Sequence, residues 1–108
     1  MVGIQLRGRH MKRLFAVFRK RGPAWNEALP LEGQVEWAAH ADFMDGLAAG
    51  GFVVLGGPLE GAREALLIVR AADEAEIERR IAADPWSHSG VLTTTRVHPW
   101  QLRLGALE

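Results

Sequence analysis

The 108-residue chain contains no cysteine, which excludes disulfides, thiolate nucleophiles and cysteine-based metal sites. It also lacks any apolar run approaching the ~18 residues of a membrane span. No apolar core follows the basic N-terminal stretch, as a signal peptide requires. These absences describe one soluble domain in a reducing, cytoplasmic setting, with no membrane partner. Histidine pairs with metal-ligand spacing are missing too. His10, His40, His88 and His98 form neither H-x-x-x-H nor H-E-x-x-H, so a metal would need ligands gathered from separate elements, and none is expected. The stretch GGFVVLGGP at 50–58 is followed by no Lys-Ser/Thr and lacks G-x-G-x-x-G spacing, which argues against a phosphate loop. It reads instead as a helix stop and a strand-ending turn, whose bare backbone at Gly57 and Pro58 is available to line a pocket. No cofactor is expected.

Acidic residues are absent from one end. Residues 1–22 hold seven basic side chains and no acidic one, while the remainder holds six basic and thirteen acidic, giving +7 and −7. A basic end can be a nucleic-acid arm. Here no aromatic residue is interleaved in residues 1–11 and the body is acidic, so no nucleic-acid partner is expected. Residues 1–11 show no period and read as a disordered extension, with Met11 an alternative start. Residues 12–104 form the domain, and 105–108 a C-terminal tail.

What is present is a sequence of apolar segments separated by turn residues. RLFAVFR (13–19) is a strand bracketed by charges, followed by a loop with two prolines and two glycines (22–33). A helix is expected from Leu31 to Ala49, stopped by Gly50-Gly51. FVVLGG (52–57) and EALLIVRA (64–71) are strands. Asp73 with Glu76 resembles a capping box opening a helix over 74–83. GVLTTTRVH (90–98) is a strand ended by Pro99, and WQLRLG (100–105) is a weak edge strand. The order β-α-β-β-α-β is the ferredoxin-like arrangement, an α+β fold with a four-stranded antiparallel sheet and both helices on one face. The strands are apolar at nearly every position, which implies burial on both faces. A second copy stacked sheet to sheet would supply the missing layer, so a homodimer is expected.

Two polar residues sit where apolar ones belong. His40 shares a helical stripe with Trp37, Phe43, Met44 and Leu47, and Asp84 follows Ile77 and Ile81 on the stripe of the second helix. Either group buried alone would cost several kcal/mol. Both helices pack on the same side of one sheet, so the two can meet. A carboxylate held against an imidazole fixes its tautomer and suits it to general acid/base work. Each residue also has a plainer role: His40 as a core histidine satisfied by one hydrogen bond, and Asp84 as N-cap of a short turn with Pro85 at the first helical position. Trp25, Trp86 and Trp100 lie in or beside loops and can wall a pocket or pack in the core.

HADFMDGLAAGGFVVLGGPL, followed by ALLIVRAADEAEIERRIAADPWSHSGVLTTTRVHPW, resembles the YCII-related family over roughly residues 12–104, as does the loop RGPAW at 21–25. The resemblance implies a ferredoxin-like fold paired into a dimeric α+β barrel, with an architecture similar to muconolactone isomerase. It also implies a histidine–aspartate dyad, which falls on His40 and Asp84. At least one member is a dehydrochlorinase of a chlorinated hydroxyhydroquinone. The resulting expectation is cofactor-free lyase or isomerase chemistry on a small cyclic or aromatic acid or phenol. His40 would be the acid/base and Asp84 its orienter, with Arg21 balancing an anionic substrate and Trp25, Trp86, Gly57 and Pro58 forming the walls. The alternative is a non-catalytic ligand-binding or interaction module in which the pair is structural. A monooxygenase or heme-handling relative lacks a matching motif.

Overall fold

The structure, a computed structural model, describes residues 12–107. The expectations placed on residues 1–11 lie outside them. Strand β1 (Arg13–Arg21) is followed by a 3-10 turn (Leu31–Gly33), helix α1 (Trp37–Ala49), strands β2 (Val53–Pro58) and β3 (Glu64–Ala71), helix α2 (Glu74–Ala82), a short helix α3 (Pro85–Ser89) and strand β4 (Leu92–Trp100). The strands form one sheet in the order β2-β3-β1-β4, and every pairing is antiparallel. This is the α+β, ferredoxin-like arrangement.

Alternation along the strands decides the two faces. Phe15 and Val17 of β1 and Leu67, Val69 and Ala71 of β3 point to the helical side. There they join Leu47 of α1 and Ile77 and Ile81 of α2 in one buried core. Leu14, Ala16 and Phe18 alternate onto the opposite face, where Ala16 lies beside Ile68, and Ile68 beside Leu55. Leu55 and Trp100 are each about half exposed.

The main differences from the sequence expectations lie at three places, while β1, β2 and the start of β4 shift by one or two residues. The expected helix over 31–49 is broken. Glu36 adopts a left-handed backbone (φ 59°) and α1 begins only at Trp37. Gln34 accounts for the break, because its buried side-chain amide donates to the carbonyls of Asn26 (2.8 Å) and Leu29 (3.0 Å) and accepts from the Asn26 N–H (2.8 Å). These bonds tie the 26–34 loop into a compact turn that helix continuation would abolish. Gln34→Ala is therefore expected to cost about 1–3 kcal/mol, from losing three part-buried hydrogen bonds at once. Chemical denaturation measures the loss, and hydrogen exchange should rise selectively across 26–34. Secondly, β4 runs through Pro99 to Trp100 rather than stopping before it. An edge strand tolerates a residue without an N–H, and β4 pairs only with β1. Thirdly, residues 101–107 form no strand, so the expected WQLRLG edge strand is limited to Trp100.

Candidate functional site

Asp73 caps α2 by accepting from the Glu76 N–H (2.9 Å), and the Glu76 carboxylate returns to the Ala72 N–H (2.8 Å). The chain leaves α2 at Ala83 and restarts at once in α3. Asp84 is the N-cap of α3, accepting from the Trp86 N–H (2.9 Å), with Pro85 at the first turn. This reset turns Asp84 inward, where it is completely buried.

His40, on α1, comes to meet it. Its Nδ1 lies 2.9 Å from Oδ1 and 3.0 Å from Oδ2 of Asp84. The pairing expected between the two helical stripes is present in the geometry, and the capping role coexists with it. A third partner was not anticipated. Arg19, on the core-facing side of β1 and only 2 % exposed, donates from Nη1 to Asp84 Oδ2 at 2.7 Å and from Nη2 to Ser87 Oγ at 2.6 Å. The Ser87 hydroxyl in turn donates to the Ile81 carbonyl (2.8 Å). Arg19 thus joins His40 and Asp84 in one hydrogen-bonded unit.

Burial pushes the Asp84 carboxyl upward, but the hydrogen bonds from His40, the Trp86 amide and Arg19 outweigh it. The group ends below the usual aspartate range. An ionised carboxylate only accepts, so His40 Nδ1 carries the hydrogen and Nε2 is the nitrogen left for the cavity. The lowered value ties stability to acid. The contribution of Asp84 is fully present above the unfolded-chain value of about 4 and is lost as pH falls through the lower, folded-state value. Unfolding free energies of wild type and Asp84→Asn should therefore differ by a constant amount above about pH 4 and converge on further acidification.

Aromatic rings fix the imidazole's orientation. Trp86, fully buried, stacks on His40 at 3.8 Å between centroids and 7° between planes. Its indole N–H donates to the Val35 carbonyl (2.5 Å). Trp25 meets Trp86 edge-on at 6.1 Å, and the Arg21 guanidinium lies over Trp25 at 4.5 Å. The RGPAW loop is held in place at Gly22. A Cβ there would lie 2.2 Å from the Gly90 carbonyl oxygen, so only glycine allows the end of β1 to close on the end of α3. The Gly22 N–H then bonds Val91 O (2.8 Å) and the Ala24 N–H bonds Gly90 O (3.0 Å).

A cavity of about 670 Å³ opens beside this cluster, lined by Arg19, Arg21, Trp25, Trp37, His40, Met44, Trp86 and the β2 run Leu55–Pro58. Its volume is that of a small-molecule site. The residues expected at the walls, Arg21, Trp25, Gly57, Pro58 and Trp86, all line it, as does His40. Asp84 does not reach the cavity and sits behind the imidazole. Trp86 lies in the short helix that Asp84 caps, and Trp100 lies on β4 and does not line the cavity. Gln34 and Arg19 escaped the sequence reading. For Arg19 the signal was the inward series Phe15, Val17, Arg19. Glu27, which also lines the cavity, is held by Arg21 (3.3 Å) and by Arg63. Among the described residues no group of three or more His, Cys, Asp or Glu side chains is arranged to hold a metal ion.

The YCII-related domain model matches residues 14–101. The chain belongs to the YCII-related family. Neither the curated proteins nor the solved structures include a significant match to it. The 14–101 match takes in every member of the cluster around His40 and leaves out only the ends of the chain.

Proposed function

We propose that this YCII-related protein is a general acid/base enzyme of lyase or isomerase type, acting on a small cyclic or aromatic acid or phenol. The observation that carries the reading is His40, with Nδ1 bound to a buried carboxylate at 2.9 and 3.0 Å while the ring forms part of a cavity wall. In this reading Nε2 takes a proton from a C–H or O–H of the bound substrate. Asp84 holds the Nδ1–H and stabilises the imidazolium electrostatically, without itself accepting the proton. Trp86 keeps the ring in plane. Trp25 and Trp37 offer faces for a flat substrate, Gly57 and Pro58 close the wall, and Arg21 balances substrate charge.

A homodimer in the cytoplasm is part of the same proposal. Leu14, Ala16, Phe18, Leu66 and Ile68 make an apolar sheet face without a helix of its own, suited to a second copy. Among the described residues no helix is long and apolar enough to cross a membrane. Sedimentation at micromolar concentration should give twice the monomer mass of 11.9 kDa, and a stable monomer would refute the pairing.

The complete burial of Asp84 and near-complete burial of Arg19 also support a second reading, a binding module in which the cluster only holds the fold. Tryptophan fluorescence titration with a panel of small aromatic acids and phenols separates the two when combined with turnover. The enzyme reading predicts binding by wild type and loss of turnover in a folded His40→Gln protein. Binding that His40→Gln leaves unchanged, with no turnover by either protein, favours the module.

A further inference from the structure

The cluster behind His40 has a charge count that bears on the direction of its chemistry. Arg19 brings one positive charge and Asp84 one negative charge, joined at 2.7 Å with side chains 2 % and 0 % exposed. With a neutral imidazole the buried unit is uncharged overall. Burying an unbalanced charge is costly, and sites of this kind settle on the protonation pattern nearest neutrality. We propose that Arg19 is a positioning residue whose charge satisfies Asp84, leaving the His40 imidazole neutral so that Nε2 begins the reaction as a base.

The neighbours of the ring support this assignment. The groups packed against it are the Asp84 carboxylate and the Trp37 and Trp86 rings. The other charged cavity residues, Arg21, Glu27, Asp45, Arg63 and Glu64, are exposed or half-buried, where solvent screens them. Remove the guanidinium and Asp84 becomes an unbalanced buried anion. The least costly remedy is a second proton on the adjacent imidazole, which restores neutrality as a carboxylate–imidazolium pair. Nε2 would then carry a hydrogen and act as a donor. Arg19 thus separates a base from an acid at the same atom.

The inference rests on the acid/base reading above and fixes the order of its proton transfers. Proton removal comes first. The substrate X–H bond breaks, its electron pair stays on X, and an N–H bond forms at Nε2. The unit becomes singly positive next to a new anion, so the two together are neutral. The pair on X then moves within the substrate. Either another substrate atom takes the proton back from Nε2, completing an isomerisation, or a leaving group departs with its own electron pair and the proton passes to it or to solvent.

Nitrogen-15 NMR of protein labelled in histidine tests this near neutral pH, with His40 assigned from a His40→Gln spectrum. Wild type should show one pyrrole-type and one pyridine-type ring nitrogen for His40. Arg19→Met should lose the pyridine-type signal, and Arg19→Lys, which keeps the charge, should restore it. A pyridine-type signal retained in folded Arg19→Met overturns the inference. So does an imidazolium in wild type, a result that needs no variant to fold. Because the readout is a protonation state, it is independent of turnover. A neutral wild-type ring with no catalysis would sink the enzyme reading alone. Catalysis with a neutral ring in Arg19→Met would sink only the role given to Arg19.

Discussion

Asp84→Ala is expected to lose about 3–5 kcal/mol of folding stability, the range for removing one partner of a buried ion pair. The carboxylate receives the Arg19 guanidinium, the His40 Nδ1–H and the Trp86 amide. Deleting it strands a cation that is 2 % exposed and leaves the first turn of α3 uncapped. His40→Ala is a different deletion. It leaves the Arg19–Asp84 pair and the cap intact, removing one hydrogen bond and the face of one ring, so its cost should be about 1–3 kcal/mol. Urea denaturation of the two variants beside wild type reads both numbers. The ordering matters more than either value, because it separates the residue that holds the cluster from the one presented to the cavity. Equal losses would mean that the imidazole is as structural as the carboxylate.

Trp86→Ala should be comparably severe, about 3–5 kcal/mol for emptying a fully buried indole site. The ring fills the space between α1 and α3, contacts Trp25 and Trp37, and binds the Val35 carbonyl through its N–H. Trp86→Phe keeps an aromatic face over the imidazole and loses mainly that hydrogen bond, so about 1–2 kcal/mol is expected. Thermal or chemical unfolding separates these outcomes. If Trp86→Phe remains folded yet loses ligand binding while His40 is unchanged, the indole itself is a contact surface for the ligand and not only a support.

The fold was legible because its signals are local. The bounds of β3 (64–71) and the start of α2 after the Asp73 capping box follow from consecutive residues, where strand alternation and cap chemistry are written. The His40–Asp84 pairing was legible for a related reason. Each is a polar residue on an apolar stripe, and the topology puts both stripes on one side of the sheet. The break before α1 was not legible, because it depends on Gln34 reaching the carbonyls of Asn26 and Leu29, contacts that exist only once the loop is folded. Arg19 was hidden inside the run RKR, which looks like a solvated strand end. Its role depends on β1 being a central strand, so that a side chain on the core face has no route to water and must find Asp84. The stacking of Trp86 on His40 was not legible, because it depends on α1 and α3 meeting across the sheet, although the Asp84-Pro85 pair did mark the turn that carries it.

The central claim is that His40 Nε2 moves protons for a ligand in the cavity. Its most direct test is hydrogen–deuterium exchange at carbon, followed by proton NMR, in small cyclic and aromatic carbon acids incubated with the protein in heavy water. The account predicts that wild type accelerates exchange at one substrate position and that folded His40→Gln does not. Exchange at the same rate with wild type and His40→Gln would contradict it.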